Sequence, residues 1–500
     1  MSATKARAVM VLGTTSGAGK SWLTTALCRW YARQGLKVAP FKAQNMSNNA
    51  RVVPGLSGEA GEIGSAQYFQ ALAARTVPDV RMNPVLLKPE HDCGSQVVVW
   101  GQVRDDLRAV PWRQRSEALW PHARRALDEL MAENDVVVIE GAGSPAEINL
   151  HASDYVNMRT AWHAQAACLL VTDIDRGGAF AHLYGTHQLL PEAERALIRG
   201  FVLNRFRGDA SLLSPGPEQL QALTGVPTLG VLPMWRGHGL PEEDGVFDDA
   251  PTGPATSTSL KRVAVIAYPR LSNLDEFQPL RNTPGVRLSW ARHPRDLAGV
   301  DWVILPGSKH TRADLAWLRD TGLDQAITTH AQAGGAVLGV CGGLQMLGTH
   351  IEDAAGVEGG ASGNCEGLGL LPLRTVFEVD KRLSVTRARF ADVPQVTAVH
   401  DDTSPWAALK GIDVQGYEIH HGQTIAGSTA QAVLFDEAGH ALGWRQGPVL
   451  GLYLHGLFED TAAMRTLFGQ SAPNLDATFD GLADFVGQHL GEPALMALLR

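Results

Sequence analysis

The chain has 500 residues, enough for two to four domains of ordinary size. Its hydrophobic content of 45% and charged content of 19% are typical of a globular protein. The formal net charge of −9 argues against nucleic acid as a main partner, and apolar runs shorter than the ~18 residues of a membrane-spanning helix predict no membrane partner.

The first predicted element is a short strand at residues 9–12, which leads into a glycine-rich loop at residues 13–21. Glycines let backbone N–H groups point inward at a phosphate, Lys20 can neutralise its charge, and Ser21 can place a hydroxyl on Mg²⁺. A helix predicted over residues 21–34 adds its positive end, whereas the alternative is a glycine-rich turn without a ligand. The phosphate-binding candidates are Gly13, Thr14, Gly17, Gly19, Lys20 and Ser21.

A second strand of this half covers residues 135–140 and is continuously apolar, as parallel strands buried on both faces are. It ends at Glu140, and ligands of a doubly wound sheet bind at this end of the strands. Glu140 is therefore a candidate Mg²⁺ ligand, although a structural acid at a strand end would give the same pattern. Two further strands end in the polar residues Lys42 and Asn204.

The phosphate loop has five residues between Gly13 and Gly19, one more than the ordinary loop of this kind. This longer form resembles dethiobiotin synthetase, which activates a carboxylate with ATP. The resemblance implies that Lys42 and Asn45 lie at the substrate and the transferred phosphate, and that Asn204 reads the adenine.

A second acidic metal ligand is not evident from the same comparison. The resembling family has a metal-binding Asp soon after the lysine, but residues 44–49 of this chain contain no carboxylate. Glu59 and Glu62 remain as candidates.

A linker is predicted at residues 244–260, which are rich in Asp, Gly, Pro, Ser and Thr. Strands alternate with helical segments on both sides of it, for example at residues 121–133 and 312–333. This pattern predicts an α/β protein with two doubly wound, mainly parallel-sheet domains, at residues 1–243 and 261–500.

The second half contains Cys341 between glycines, after an apolar strand and before a helix-like run. Such an elbow holds the sulfur at a helix N-terminus, where the reactive thiolate is favoured. His455 ends a later apolar run, and a cysteine with a distant histidine is the minimum for thiol acyl chemistry. A buried structural cysteine is the alternative, but the glycine framing favours catalysis.

The elbow resembles that of the class I glutamine amidotransferases, which reads roughly G-x-C-G-G-x-Q-M-L-G. An earlier apolar strand ends in a Pro-Gly-Ser turn at Gly307 and Ser308, whose backbone can aim an N–H at an oxyanion. The resemblance implies that Gly342 supplies the second N–H, and that Gln345 and the Ser308 loop hold the glutamine.

The catalytic histidine of that family is usually followed two residues later by a Glu. Here the position is Leu457, and Glu459 is a possible substitute. The branch of the family that works on corrins lacks the same Glu.

Both halves together resemble the cobyric acid synthase family of glutamine-hydrolysing enzymes in cobalamin biosynthesis, over nearly the whole chain. The resemblance implies ATP and Mg²⁺ as cofactors, glutamine as ammonia donor, and a corrinoid substrate, adenosylcobyrinic acid a,c-diamide. Its b, d, e and g carboxylates would become amides through acyl phosphates. The matching runs are residues 40–50, 61–64, 82–89, 173–178 and 416–420.

Three alternatives stay open at this stage, namely a cobyrinic acid a,c-diamide synthase, a ParA-like ATP switch and a non-catalytic scaffold. The five scattered cysteines form no Cys-x-x-Cys pair, and no signal peptide is evident, which predicts a cytoplasmic protein. The oligomeric state is left open.

Overall fold

The computed structural model of the protein describes residues 6–91, 94–107, 110–241, 260–358, 362–391 and 404–500. The strands of the first half are β1 (Arg7–Gly13), β2 (Val38–Phe41), β3 (Asn45–Met46), β4 (Ala50–Pro54), β5 (Ala60–Gly64), β6 (Val85–His91), β7 (Gly94–Val99), β8 (Gln102–Val103), β9 (Val136–Glu140), β10 (Ala167–Asp173), β11 (Ile198–Phe206) and β12 (Thr228–Pro233). Its helices are α1 (Lys20–Arg33), α2 (Ser65–Ala73), α3 (Trp112–Glu133), α4 (Met158–Ala164), α5 (Ala179–Leu189), α6 (Glu192–Arg195) and α7 (Gly216–Thr224).

The main sheet of the first half has the order β12-β11-β10-β1-β9-β2, and all neighbouring strands are parallel. Alternate residues of β1 enter two apolar cores, because side chains of a strand point to opposite faces. Met10 and Leu12 join one core, whereas Val9 and Val11 join the other, which contains residues of α1 and α2. This burial on both faces explains the continuous apolar runs, and it places the loop after β1 at the ligand-binding end of the sheet.

In the second half the strands are β13 (Lys261–Ile266), β14 (Leu271–Ser272), β15 (Val286–Ala291), β16 (Trp302–Leu305), β17 (Gly307–Ser308), β18 (Ala336–Val340), β19 (His350–Asp353), β20 (Gly363–Glu366), β21 (Leu373–Phe390), β22 (Asp413–Ala426), β23 (Gln431–Asp436), β24 (Ala441–Gln446) and β25 (Val449–Leu452). Its helices are α8 (Gln278–Asn282), α9 (Thr311–Thr321), α10 (Leu323–Gln332), α11 (Gly342–Leu347), α12 (Thr461–Phe468), α13 (Leu475–Leu490) and α14 (Glu492–Ala497).

The large sheet of the second half combines two patterns. Strands β15-β13-β16-β18-β25 are parallel neighbours, and β24, β23, β21 and β22 extend the sheet with antiparallel pairs. The predicted α/β fold with domains rich in parallel sheet is confirmed. The antiparallel extension was not predicted, because strands buried on one face give weaker apolar runs.

The end of the chain returns to the first half. Helix α13 packs along α1, and Leu482 and Val486 share a core with Val9 of β1. The Tyr31 hydroxyl donates a hydrogen bond to the Leu495 carbonyl at 2.8 Å. These last helices thus lie on the first half, although the sequence assigned residues 261–500 to the second.

The predicted linker at residues 244–260 lies outside the described residues except for residue 260. None of the described helices has the length and apolar character needed to cross a membrane.

Candidate active sites

The sequence around Cys341 forms a sharp turn between β18 and α11. Cys341 adopts φ 52° and ψ −106°, a strained backbone for a residue with a side chain. Glycine is needed two residues later, because a Cβ on Gly343 would collide with the Leu305 carbonyl oxygen. The thiol is buried and held at the N-terminus of α11, which is the geometry predicted for a nucleophile.

His455 lies on the segment after β25, and its Nδ1 is 3.0 Å from the Glu276 carboxylate. The same carboxylate accepts a hydrogen bond from the Gly456 N–H at 3.2 Å. Burial alone would lower the pKa of the His455 imidazole, but the charge of Glu276, its hydrogen bond to the ring and the nearby Cys341 raise the pKa to about 10. The fold thus brings Cys341, His455 and Glu276 together.

Glu276 was missed by the sequence reasoning. It lies in a 3-10 turn before α8, far from the histidine in sequence and outside any recognised motif. Only the tertiary fold brings the two residues together. Glu459, the sequence candidate for this role, instead accepts a hydrogen bond from Arg51 at 2.5 Å.

The predicted oxyanion and glutamine-binding residues surround the elbow. Gly307 and Ser308 form β17, and a Cβ on Gly342 would lie 2.8 Å from the Ser308 nitrogen. This close approach brings the Ser308 N–H against the residue that directly follows Cys341. The Gln345 side chain is buried and accepts a hydrogen bond from the Thr311 hydroxyl at 3.1 Å.

The glycine-rich loop after β1 has the conformation that its glycines were expected to allow. Gly17 and Gly19 have φ of 71° and 97°, in the left-handed region that favours glycine. The Lys20 ammonium donates hydrogen bonds to the carbonyls of Thr15 at 3.0 Å and Gly143 at 3.1 Å. These bonds hold the lysine side chain between the glycine-rich loop and the segment that follows β9.

Thr14 and Asn204 support the loop from the neighbouring strands. The Thr14 hydroxyl donates a hydrogen bond to the Thr172 hydroxyl of β10 at 2.9 Å. The Asn204 amide of β11 donates one to the Ala18 carbonyl at 2.9 Å. Asn204 also lines a cavity of about 400 Å³, which contains the aromatic side chains of Trp22 and Trp235.

Glu140, at the end of β9, has three hydrogen-bond donors around its carboxylate, of which Ser21 and Lys42 are predicted site residues and Gln70 is not. Its oxygens accept hydrogen bonds from Ser21 at 2.8 Å, Lys42 at 2.8 Å and Gln70 at 2.5 Å. Burial opposes ionisation, but the charge of Lys42 and these hydrogen bonds keep the pKa of Glu140 below its ordinary value. The hard oxygens of Ser21 and Glu140 suit Mg²⁺, which favours carboxylate, water and phosphate ligands.

A cavity of about 490 Å³ opens in front of these groups. Its lining includes Lys20, Ser21, Lys42, Asn45 and Glu140, so one cleft brings together the predicted phosphate, substrate and metal residues. It continues toward the second cavity through Gly19, which lines both.

The two sequence candidates for a second metal ligand lie elsewhere. Glu59 is exposed in the turn between β4 and β5. Glu62 is buried and paired with Lys381 at 2.6 Å and with Lys88. Although burial opposes it, the charges of these lysines hold the pKa of Glu62 far below its ordinary value. Neither glutamate is among the described residues that line the cleft.

The first half has a phosphate-binding loop at the end of a parallel sheet, and the second half has a thiol elbow with a His and a Glu. Together they define a class of protein, the ATP- and glutamine-dependent ligases that form amides. Comparison with known protein families supports this class for each half of the chain separately. Residues 9–237 match the CobQ/CobB/MinD/ParA nucleotide binding domain, and residues 262–463 match the CobB/CobQ-like glutamine amidotransferase domain.

Whole-length relatives give the particular family. The chain is 68% identical to the cobyric acid synthase of Methylibium petroleiphilum over 501 residues, which cover 99% of this chain and 97% of the relative. The identity to that of Leptothrix cholodnii is 68%, with coverage of 99% and 97%, and to that of Variovorax paradoxus 66%, with 99% of each chain covered. The chain belongs to the cobyric acid synthase family, whose members act in cobalamin biosynthesis.

Proposed function

We propose that the protein uses ATP and glutamine to amidate the b, d, e and g carboxylates of the corrinoid adenosylcobyrinic acid a,c-diamide, in the cytoplasm. The observation that carries the proposal is the presence of two separate reactive centres in one chain. One has the groups for releasing ammonia from an amide, and the other has the groups for phosphorylating a carboxylate. Family membership supports the corrinoid as the molecule that bears this carboxylate.

At the thiol site, the Cys341 sulfur attacks the side-chain amide carbon of glutamine. The backbone N–H groups at Ser308 and Gly342 would stabilise the negative oxygen that forms. His455, oriented by Glu276, donates a proton to the leaving nitrogen, so that ammonia departs and a thioester remains. Water then attacks the thioester carbon, releases glutamate and restores the thiol.

At the phosphate site, a corrinoid carboxylate oxygen attacks the γ-phosphorus of ATP, and ADP leaves. Lys20 and Lys42 would neutralise charge on the transferred phosphoryl group. Ser21 and Glu140 would hold Mg²⁺, which supplies further positive charge at the phosphates. Ammonia then attacks the acyl phosphate carbon, and phosphate leaves as the amide forms.

The test is mass spectrometry of the corrinoid after incubation with ATP and amide-labelled ¹⁵N-glutamine. The a,c-diamide should gain one labelled nitrogen for each carboxylate amidated, and the reaction should consume ATP. Cobyrinic acid is offered separately. Labelling of cobyrinic acid at a and c alone would identify an a,c-diamide synthase, and ATP turnover without any corrinoid product would identify a switch protein.

A further inference from the structure

Behind the thiol site, Asn49 and Ala50 of the first half are bonded to two consecutive residues of the second. The Asn49 side chain accepts a hydrogen bond from the Leu274 N–H at 2.8 Å. The Ala50 carbonyl accepts one from the Asn273 side chain at 2.8 Å. Both partners lie just ahead of Glu276 in the chain, so these bonds restrain the backbone that carries the carboxylate.

Arg51, the next residue of β4, continues this contact with its side chain. Its Nε donates a hydrogen bond to Asp275 at 2.8 Å, and its Nη2 donates one to Glu459 at 2.5 Å. Asp275 immediately precedes Glu276, and Glu459 follows His455 by four residues. One guanidinium, with only 2% of its side chain exposed, thus links the segments that supply the acid and the imidazole.

A third contact of Arg51 reaches the imidazole through a ring. The guanidinium carbon lies 5.1 Å from the centre of the Tyr417 ring. That ring stacks on His455 with centroids 5.0 Å apart and planes 13° apart. The backbones of Tyr417 and His455 are also paired, with N···O distances of 2.9 and 3.3 Å. A displacement of Arg51 would therefore affect His455 both through the Tyr417 ring and through the segment that carries Glu459.

We propose that Arg51 is a positioning residue for glutamine hydrolysis, through which the first half sets the relative position of Glu276 and His455. The inference rests on the proposed catalytic role of Cys341 and His455. Burial of an ion pair is a weak source of stability, because desolvation of the charges opposes their attraction. A role in positioning catalytic groups explains the buried Arg51 better, since a displacement of such groups by about 1 Å can lower the rate about 10²-fold.

The experiment measures synthesis with glutamine and with ammonium salt on the same preparation of Arg51→Met. Glutamine-supported synthesis should fall about 10²-fold, whereas ammonia-supported synthesis should stay near the wild-type rate. The loss should be in kcat for glutamine hydrolysis rather than in KM, because Arg51 does not contact Gln345 or the Ser308 loop in the described structure. Equal losses with both nitrogen sources, or no loss, would overturn the proposal.

Arg29 provides the matched control. It is also a buried arginine that links the two halves, with an ion pair to Asp476 and its guanidinium 5.3 Å from the Phe479 ring. It lies on α1 and contacts α13, away from the His455 segment. Arg29→Met should lower thermal stability without changing the ratio of glutamine- to ammonia-supported rates. The same ratio change in Arg29→Met as in Arg51→Met would overturn the specific role of Arg51.

Two further variants separate position from charge. Arg51→Met/Asp275→Asn removes both charges of the pair, so its thermal midpoint should recover while its ratio stays low. Full recovery of the ratio would mean that Arg51 only compensates a buried carboxylate, which contradicts the proposal. Arg51→Lys keeps a positive charge but loses the planar guanidinium, which donates to two carboxylates at once. It should give an intermediate ratio of glutamine- to ammonia-supported rates. A wild-type ratio in Arg51→Lys would also count against it.

Cys341→Ser is measured beside these variants. Glutamine-supported synthesis by Cys341→Ser would defeat the proposed thiol site itself. If Cys341→Ser is inactive with glutamine and Arg51→Met is unaffected, only the inference about Arg51 fails.

Discussion

The two candidate sites differ in how complete they are without a ligand. At the thiol site Cys341, His455 and Glu276 are buried, the contact between His455 and Glu276 is already formed, and the cysteine is held in a strained backbone. At the phosphate site Lys42 and Glu140 are paired with each other in front of an open cleft. The fold alone positions the side chains of the thiol site. At the phosphate site, a bound ligand would have to replace the present contact between Lys42 and Glu140.

This contrast follows from the chemistry that each site would perform. A cysteine nucleophile needs a base that takes its proton, and a group that orients this base, before glutamine arrives. Phosphoryl transfer depends on positioning and charge around a nucleotide that itself brings much of the charge. Variants at the thiol site should therefore lower synthesis only with glutamine, whereas variants at the phosphate site should lower it with glutamine and with ammonia.

The largest expected effect is that of Cys341→Ser. It should lower glutamine-supported synthesis by about 10⁴-fold or more, since the nucleophile is lost. Ammonia-supported synthesis should persist, because ammonia enters after the thiol step. Rates are measured with glutamine and with ammonium salt at alkaline pH. Loss of both activities in a folded variant would show that the two sites are not independent.

Lys20→Ala tests the opposite site, with a loss of about 10³-fold from removal of a charge at the phosphates. Synthesis should fall with either nitrogen source, and hydrolysis of glutamine should continue. The measurement is amide formation with each donor, together with glutamate release. Normal synthesis from ammonia would rule out the glycine-rich loop as the ATP site.

The same contrast explains what the sequence could predict. Cys341 and the loop at residues 13–21 are local patterns, in which glycines and an adjacent apolar strand specify a turn. The link from Glu276 to His455 exists only in three dimensions, so no spacing indicated it. The packing of α13 on α1 was also hidden, because an amphipathic helix does not specify which apolar surface it covers.

Glu276→Gln should sharpen the description of the thiol site, with a loss of about 10²-fold in glutamine hydrolysis. The pKa of His455 is raised to about 10 largely through Glu276, so without that charge burial should lower it. The imidazolium would then lose its proton at lower pH, and the alkaline limb of the rate profile should shift downward. The profile of glutamate release against pH measures this shift, and an unmoved limb would argue against the pairing.

The smallest expected effect concerns Glu140→Gln, compared with Lys42→Met. Each variant breaks the same buried ion pair and leaves one partner uncompensated, so both should lose about 3 kcal/mol of unfolding free energy. Only Glu140→Gln weakens a proposed Mg²⁺ ligand, and its Mg²⁺ requirement should rise about 10-fold. Lys42→Met should slow phosphoryl transfer at an unchanged Mg²⁺ midpoint. Titration of ammonia-supported synthesis with Mg²⁺ separates the two, and equal midpoints would reduce Glu140 to a partner of Lys42.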